Sequence, residues 1–103
     1  MSLPMSRRAQ LRRATVLAAA MAEAQARGWA NLRRDTVAAR AGIATGGVND
    51  AFGSMEALKA AVMAEAISGE VLSIIAEGLA AGDAQARNAP RRLRQAAVGT
   101  LTD

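Results

Sequence analysis

The chain of 103 residues contains no cysteine, no histidine and no tyrosine. The lack of cysteine excludes disulfides and thiolate chemistry. The lack of both cysteine and histidine removes most zinc sites and the commonest general base. Acid pairs remain, such as Glu65 and Glu70, but their helical context is typical of a solvated face. We therefore expect no enzyme activity, no metal site and no cofactor.

Aromatic residues and proline are nearly absent as well, with one tryptophan, one phenylalanine and two prolines. Alanine fills about a quarter of the chain, which favours helices, and strand-forming residues never alternate with period two. The core must therefore consist of alanine, leucine, valine, isoleucine and methionine, with Trp29 as its expected plug. The composition predicts an all-α protein whose length allows a modest core.

Long apolar runs are also missing. No segment has the length of a membrane span, and the N-terminus lacks the continuous apolar core of a signal peptide. We therefore expect a cytoplasmic protein without a membrane partner. A basic amphipathic front that lies on anionic membranes is an alternative, but the small, alanine-rich apolar faces weaken it.

Positive charge comes almost wholly from arginine, with twelve Arg and a single lysine, Lys59. Residues 1–47 carry eight Arg against two acids, a net +6, whereas residues 48–82 carry one lysine against five acids, a net −4. Residues 83–103 return to a net +2. A basic front half predicts an anionic partner for that half. Codon bias is the alternative, but it explains arginine over lysine and not the uneven distribution.

The first half of the sequence predicts three helices. Ser6 is a candidate N-cap for a long first helix that ends before Gly28. A second helix is predicted over residues 32–41, with Asn31 as its candidate N-cap, and a third over residues 45–52 after a short turn. The apolar positions expected to face inward along the first helix are Leu11, Ala14, Leu17, Met21 and Ala24, with Val16 and Ala20 widening the stripe.

The second half predicts fewer and longer elements. Ser54 is a candidate N-cap for a fourth helix over residues 55–81, weakened or bent at two internal glycines. Residues 81–90 are expected to be a linker, with a proline placed to open a last helix over residues 91–100. Part of the fourth helix is expected to face water unless a second chain covers it, namely Val62, Ile67, Val71 and Ile74.

Two short helices joined by a tight glycine turn fit the helix-turn-helix pattern. Residues 16–58 resemble the N-terminal domain of TetR-family transcriptional regulators, with residue types and spacings that agree without a gap. The matching positions are Val16, Leu17, Ala19, Ala20, Gly28, Trp29, Val37, Ala38, Ala41, Gly42, Ile43, Gly46, Val48, Phe52, Glu56 and Leu58.

The resemblance implies an all-α fold with a three-helix helix-turn-helix DNA-binding domain, residues 1–54. A long fourth helix and a partial C-terminal helical segment, residues 55–103, would begin a dimerisation and ligand domain. The resemblance further implies a repressor that binds double-stranded DNA as a homodimer, with the third helix in the major groove of a palindromic operator. A small-molecule inducer is expected only if the C-terminal domain is longer, and we expect this chain to be a fragment.

Several positions depart from the family pattern. Asn49 replaces the usual tyrosine, Asp50 replaces a residue often found on the phosphate backbone, and Met55 replaces the lysine that usually opens the fourth helix. Arg33 stands where threonine or serine commonly begins the second helix. These changes suggest an alternative function, a helix-turn-helix scaffold that has lost DNA binding and docks another protein.

Arginines in the first half are the candidate phosphate contacts. Arg33 and Arg34 would restore, from the second helix, the charge that is lost from the fourth. Arg7, Arg8 and Arg12 would lie along the DNA backbone or enter the minor groove as an arm, unless they belong to a disordered basic tail. The basic charge is thus moved rather than abolished.

The third helix carries the candidate base-reading surface, which consists of Thr45, Gly46, Gly47, Asn49 and Asp50. Its two glycines would let the helix approach the DNA closely. Asn49 has the groups to pair bidentately with adenine, Thr45 to contact a thymine methyl or a phosphate, and Asp50 to accept from cytosine N4. The alternative is that Asn49 and Asp50 are merely polar, exposed helix residues.

Overall fold

The computed structural model describes residues 6–101, and this part of the chain contains helices and turns but no strand. The all-α class expected from the sequence is therefore confirmed. Seven α-helices and one 3₁₀-helix follow in order within the described range: α1 Arg7–Arg27, the 3₁₀-helix Trp29–Asn31, α2 Arg34–Ala41, α3 Thr45–Phe52, α4 Met55–Ser68, α5 Leu72–Ala81, α6 Ala84–Arg87 and α7 Arg91–Leu101.

The first helix, α1, begins and ends where its local signals predict. The Ser6 hydroxyl accepts a hydrogen bond from the Ala9 N–H at 3.1 Å, as an N-cap does. Gly28 follows the last residue, with φ of 104°. The expected inward stripe is confirmed at Val16, Ala20 and Ala24, which are buried, and is wrong at Leu11, which is 61% exposed. Alanines on the actual face let α2 and α4 pack closely on Val16, Ala19, Ala20, Glu23 and Ala24.

The side chain of Trp29 fills the core as predicted, at 5% exposure. Its indole N–H donates to the backbone oxygen of Lys59 at 3.0 Å, and the Lys59 ammonium lies 4.4 Å from the centre of the ring. A buried indole needs a partner for its N–H, and this one has it. Because Lys59 belongs to α4, the tryptophan joins the connection between α1 and α2 to the fourth helix.

The second helix, α2, begins at Arg34, and its N-cap is Arg33 rather than the predicted Asn31. The connection before it forms the 3₁₀-helix, in which Asn31 donates its side-chain N–H to Arg27 O at 2.8 Å. This amide therefore satisfies a free carbonyl at the end of α1 instead of a free N–H at the start of α2. The helix ends at Gly42, as predicted, in the left-handed conformation.

The continuous helix predicted over residues 55–81 is in fact two helices. α4 ends before Gly69, and Glu70 then takes a positive φ of 57°. The N–H of Val71 closes this turn by donating to Ala66 O at 2.8 Å. The chain reverses here, so that α5 packs against α4 instead of extending it.

Because the chain reverses, it covers the apolar stripe that was expected to face water. Val62 and Ile74 are fully buried, and Ile67 and Val71 pack against the edge of the core. Burial within one chain gains the hydrophobic free energy that a second chain would otherwise supply. The expectation that these residues offer a dimer surface is therefore wrong for the chain as it folds.

The segment predicted as a linker, residues 81–90, is folded. The Asp83 carboxylate caps α6 by accepting a hydrogen bond from the Ala86 N–H at 3.0 Å. Ala86 and Ala89 are buried, and their small side chains let this segment lie close to α4 and α5. The last helix, α7, follows the proline as predicted and packs along α5.

A single hydrophobic core runs through the described helices and crosses the predicted domain boundary at residues 54 and 55. Residues from both sides of that boundary share it, among them Val16, Val48, Leu58, Ile75 and Leu93. The core packing is continuous across this boundary. The division into a DNA-binding domain and a C-terminal domain therefore stays a prediction about function. No helix between residues 6 and 101 is long and apolar enough to cross a membrane.

Candidate nucleic-acid interface

The corner between α2 and α3 has the form of a helix-turn-helix. The two helices of eight residues each are joined by residues 42–44. The N–H of Ile43 donates to Ala38 O at 3.0 Å, which closes the turn. Val37 and Val48 are buried on the inner faces of the two helices, so hydrophobic packing holds the corner.

The outer face of α3 displays most of the predicted base-reading residues. Thr45, Gly46 and Asp50 are exposed, and Asn49 is half-buried beside them. Their positions, i, i+1, i+4 and i+5, lie on one side of a helix. A Cβ added at Gly46 would meet no described atom within 4 Å outside its own stretch of helix. This face is smooth at its start and polar further along.

Gly47 lies on the opposite side of α3 and is buried. A Cβ added there would lie 2.9 Å from Ile43 Cδ1 and 3.3 Å from an Arg12 guanidinium nitrogen. Gly47 therefore does not lie on the outer face of α3, and the prediction that placed it there is wrong. Its missing side chain instead gives room for the turn and for α1 to lie against α3.

The side chain of Asn49 is not freely presented to solvent. Its Oδ1 is buried and has no hydrogen-bond partner within residues 6–101. A buried acceptor without a partner costs about 1–3 kcal/mol. Pairing with adenine would require this side chain to rotate outward so that its oxygen reaches the base edge.

Two of the predicted N-terminal arginines lie beside α3. Arg8 and Arg12 line an open hollow of about 340 Å³ together with Asp50. They stand on the first turns of α1, within the helix rather than in a tail. Arg7 is exposed on the same first turn. Arg8 and Arg12 thus place positive charge in the same hollow as the negative charge of Asp50.

The two arginines at the start of α2 lie in a different place. Arg33 lines a second open hollow, of about 550 Å³, with Arg27 and Thr36. Its Nε lies 3.4 Å from a carboxylate oxygen of Asp35, and both side chains are mostly exposed, so this ion pair is weak. Arg34 is exposed on the first turn of the helix. Neither arginine lines the hollow beside Asp50.

Other cations of the basic half are engaged in the scaffold. Glu23 is 5% exposed, and its carboxylate lies 2.9 Å from Arg40 Nε and 3.5 Å from Arg27 Nε. The Arg13 guanidinium lies 4.4 Å from the centre of the Phe52 ring, joining α1 to α3. Sequence reasoning missed these roles. The spacing of four between Glu23 and Arg27 signals one pair, whereas the contact with Arg40 required the fold.

Comparison with known proteins agrees with this geometry. Residues 16–62 match the model of a family described as bacterial regulatory proteins, tetR family. The matched region runs from within α1 to within α4 and contains the whole corner. No curated protein and no solved structure matches the chain. The family resemblance expected from residues 16–58 is confirmed.

Proposed function

We propose that this chain, whose residues 16–62 match the model of the tetR family of bacterial regulatory proteins, is a DNA-binding regulator that represses transcription as a homodimer on a palindromic operator. In this proposal α3 enters the major groove, and its outer face reads the base edges. The alternative, a scaffold that has lost DNA binding and docks another protein, predicts no salt-dependent affinity for duplex DNA.

The exposed face of α3, beside the cations of α1, is the observation that carries the proposal. Thr45 and Gly46 are exposed at the start of the helix. Because Gly46 has no side chain, the helix axis could come close to the base edges at this position. Asn49 and Asp50 would supply hydrogen bonds further along. Arg8 and Arg12 adjoin this face, where phosphates flanking the groove would lie.

Phosphate contacts from two separate places would orient the protein on the duplex. Arg7, Arg8 and Arg12 would contact the backbone from the first turns of α1, and Arg33 and Arg34 from the start of α2. Each contact releases counterions and adds about −0.9 to the slope of log K against log salt concentration. This distribution supplies the charge that the family's usual lysine provides where this chain has Met55.

We propose that the homodimer contact and any inducer site lie in the part of the fold beyond α4. We place the homodimer contact outside the stripe that includes Val62 and Ile74, because that stripe is buried within the chain. The described hollows are open at the surface. An enclosed inducer pocket would therefore need further helices. The ligand that we propose is double-stranded DNA, and we propose that the protein acts in the bacterial cytoplasm. The proposed mechanism includes no enzymatic step.

The test is a fluorescence-anisotropy titration of the chain against labelled duplex DNA of random sequence, at salt concentrations between about 50 and 200 mM. An Arg33→Ala, Arg34→Ala double variant is measured beside it. We expect binding that weakens steeply with salt, and a slope that is about 2 smaller in magnitude for the double variant. An Arg87→Ala, Arg91→Ala double variant makes the same charge change on exposed residues of α6 and α7 and is the matched control.

Equal losses in the two double variants would show that only net charge matters and would contradict specific contacts from Arg33 and Arg34. Absence of binding at low salt, from a chain that sedimentation shows to be dimeric, would refute the proposed function. The protein-docking scaffold would then be the better account.

A further inference from the structure

A carboxylate from the C-terminal half holds the connection between α1 and α2. Glu77, half-buried on α5, accepts a hydrogen bond from the Trp29 N–H at 2.7 Å and a longer one from the Ala30 N–H at 3.3 Å. These two N–H groups open the 3₁₀-helix and have no partner within it. The contact joins residues 48 positions apart in the chain.

The backbone around this carboxylate is shaped to receive it. Gly28, immediately before Trp29, has φ of 104°, and a Cβ added there would lie 2.9 Å from Glu77 Oε1. A side chain at this position would both strain the backbone and displace the carboxylate. Hydrogen bonds from backbone N–H groups to a charged acceptor are shorter and stronger than neutral ones. The glycine and the glutamate therefore form one arrangement.

The held segment leads directly into the first turn of α2. The N–H of Leu32 donates to Trp29 O at 3.3 Å, and Arg33 follows as the N-cap of α2. Asn31 ties the same segment to the end of α1 through Arg27 O. A shift of the residues that Glu77 holds would therefore move the start of α2 and the arginines that stand on it.

We infer that Glu77 is a positioning residue for DNA binding, which fixes from α5 the segment that places Arg33 and Arg34. The inference rests on the proposed function. It adds that the C-terminal helices and the DNA-binding half are coupled through one carboxylate. Coupling of this kind is reciprocal, so a displacement of α5 would lower the affinity for DNA, and bound DNA would resist that displacement.

Glu77→Gln tests the inference through the sign of its effect. The substitution removes one negative charge, and charge alone predicts tighter binding to DNA. A positioning role predicts the opposite. The amide would present an N–H to one of the two backbone donors, so the start of α2 would be less well held. We expect the affinity for a labelled random duplex to fall about five- to tenfold, with a salt slope smaller in magnitude by about 1.

Asp83→Ala is the matched control. It also removes one negative charge, and it costs stability by removing the cap of α6, away from the connection between α1 and α2. We expect its DNA affinity and salt slope to equal or exceed those of the unsubstituted chain. Acrylamide quenching of the sole tryptophan adds a readout without DNA. We expect quenching of Trp29 to rise in Glu77→Gln and to stay unchanged in Asp83→Ala, because Glu77 accepts a hydrogen bond from Trp29 and Asp83 caps α6 instead.

Each outcome decides between the claims. Weaker binding with a smaller slope in Glu77→Gln alone supports the inference. Equal or tighter binding at an unchanged slope overturns it and leaves the proposed function standing. Failure of the unsubstituted chain to bind DNA overturns both.

If Glu77→Gln does not fold, Glu77→Asp replaces it, because the shorter side chain keeps the charge and withdraws the carboxylate. It is expected to weaken binding as well, and unchanged binding would overturn the inference.

Discussion

Gly46→Ala is expected to raise the stability of the free protein. Gly46 lies in the first turn of α3, and a Cβ there meets no described atom within 4 Å outside the local helix. Alanine is about 0.8–1.0 kcal/mol better than glycine inside a helix. At a first turn we expect much of that gain, about 0.5–1 kcal/mol, which raises the Tm of a domain of this size by about 2–8 °C.

The same substitution is expected to weaken DNA binding. The added methyl group would stand on the outer face of α3, which we propose enters the major groove. If the helix approaches the base edges as closely as a glycine permits, the methyl group must push it outward and lengthen several hydrogen bonds together. We expect the affinity to fall about tenfold, or about 1.4 kcal/mol.

Thermal unfolding followed by circular dichroism and anisotropy titration together measure the two effects. Gly99→Ala in α7 is the control, because a Cβ there also meets no described atom within 4 Å outside its helix and lies on a different element. It should raise Tm without changing DNA affinity. A lower Tm for Gly46→Ala would refute the account of its surroundings. An unchanged affinity beside a raised Tm would refute the close approach of α3 to DNA.

Two further predictions concern stability. Gly78→Ala should destabilise the protein by about 1–3 kcal/mol, because the new Cβ would lie 2.8 Å from Ala86 Cβ and against Met63 Cε; an unchanged urea midpoint would contradict this close packing. Hydrogen bonds from Arg92, and then its charge, lower the pKa of Glu70 from 4.5. Since the folded-state pKa is the lower one, the stabilisation is present above the ordinary pKa and is lost as the pH falls through the folded value. Glu70→Gln should therefore make Tm less dependent on pH below about 5, and a Tm profile parallel to that of the unsubstituted chain would contradict the ion pair.

Helix ends that depend on a few neighbouring residues were predictable from the sequence. Ser6 and Ser54 cap α1 and α4 as expected, and each accepts a hydrogen bond from an N–H three residues later. Gly42 ends α2 in a conformation that side chains disfavour. The bounds of α3 also agree with the prediction. These interactions lie within one helical turn, so the local sequence contains all the groups involved.

For the candidate site, the sequence proposes which residues take part, and the structure shows how they are oriented. Thr45, Gly46 and Asp50 are exposed, whereas Gly47 faces the interior. A pair of glycines has no side chains to show which side of a helix is apolar, so periodicity cannot orient it. The buried Oδ1 of Asn49 is likewise set by the neighbours of α3 rather than by its own sequence.

Composition and local signals thus decided the helical class, most helix ends, the uneven charge and the family resemblance of residues 16–62. Tertiary packing decided the rest. It reversed the chain at Glu70, buried an apolar stripe that a longer helix would have exposed, and brought Glu77 to Trp29. The physical reason is separation along the chain. A cap or turn satisfies groups within a few residues, whereas burial and long-range hydrogen bonds depend on which distant segments the whole core brings together.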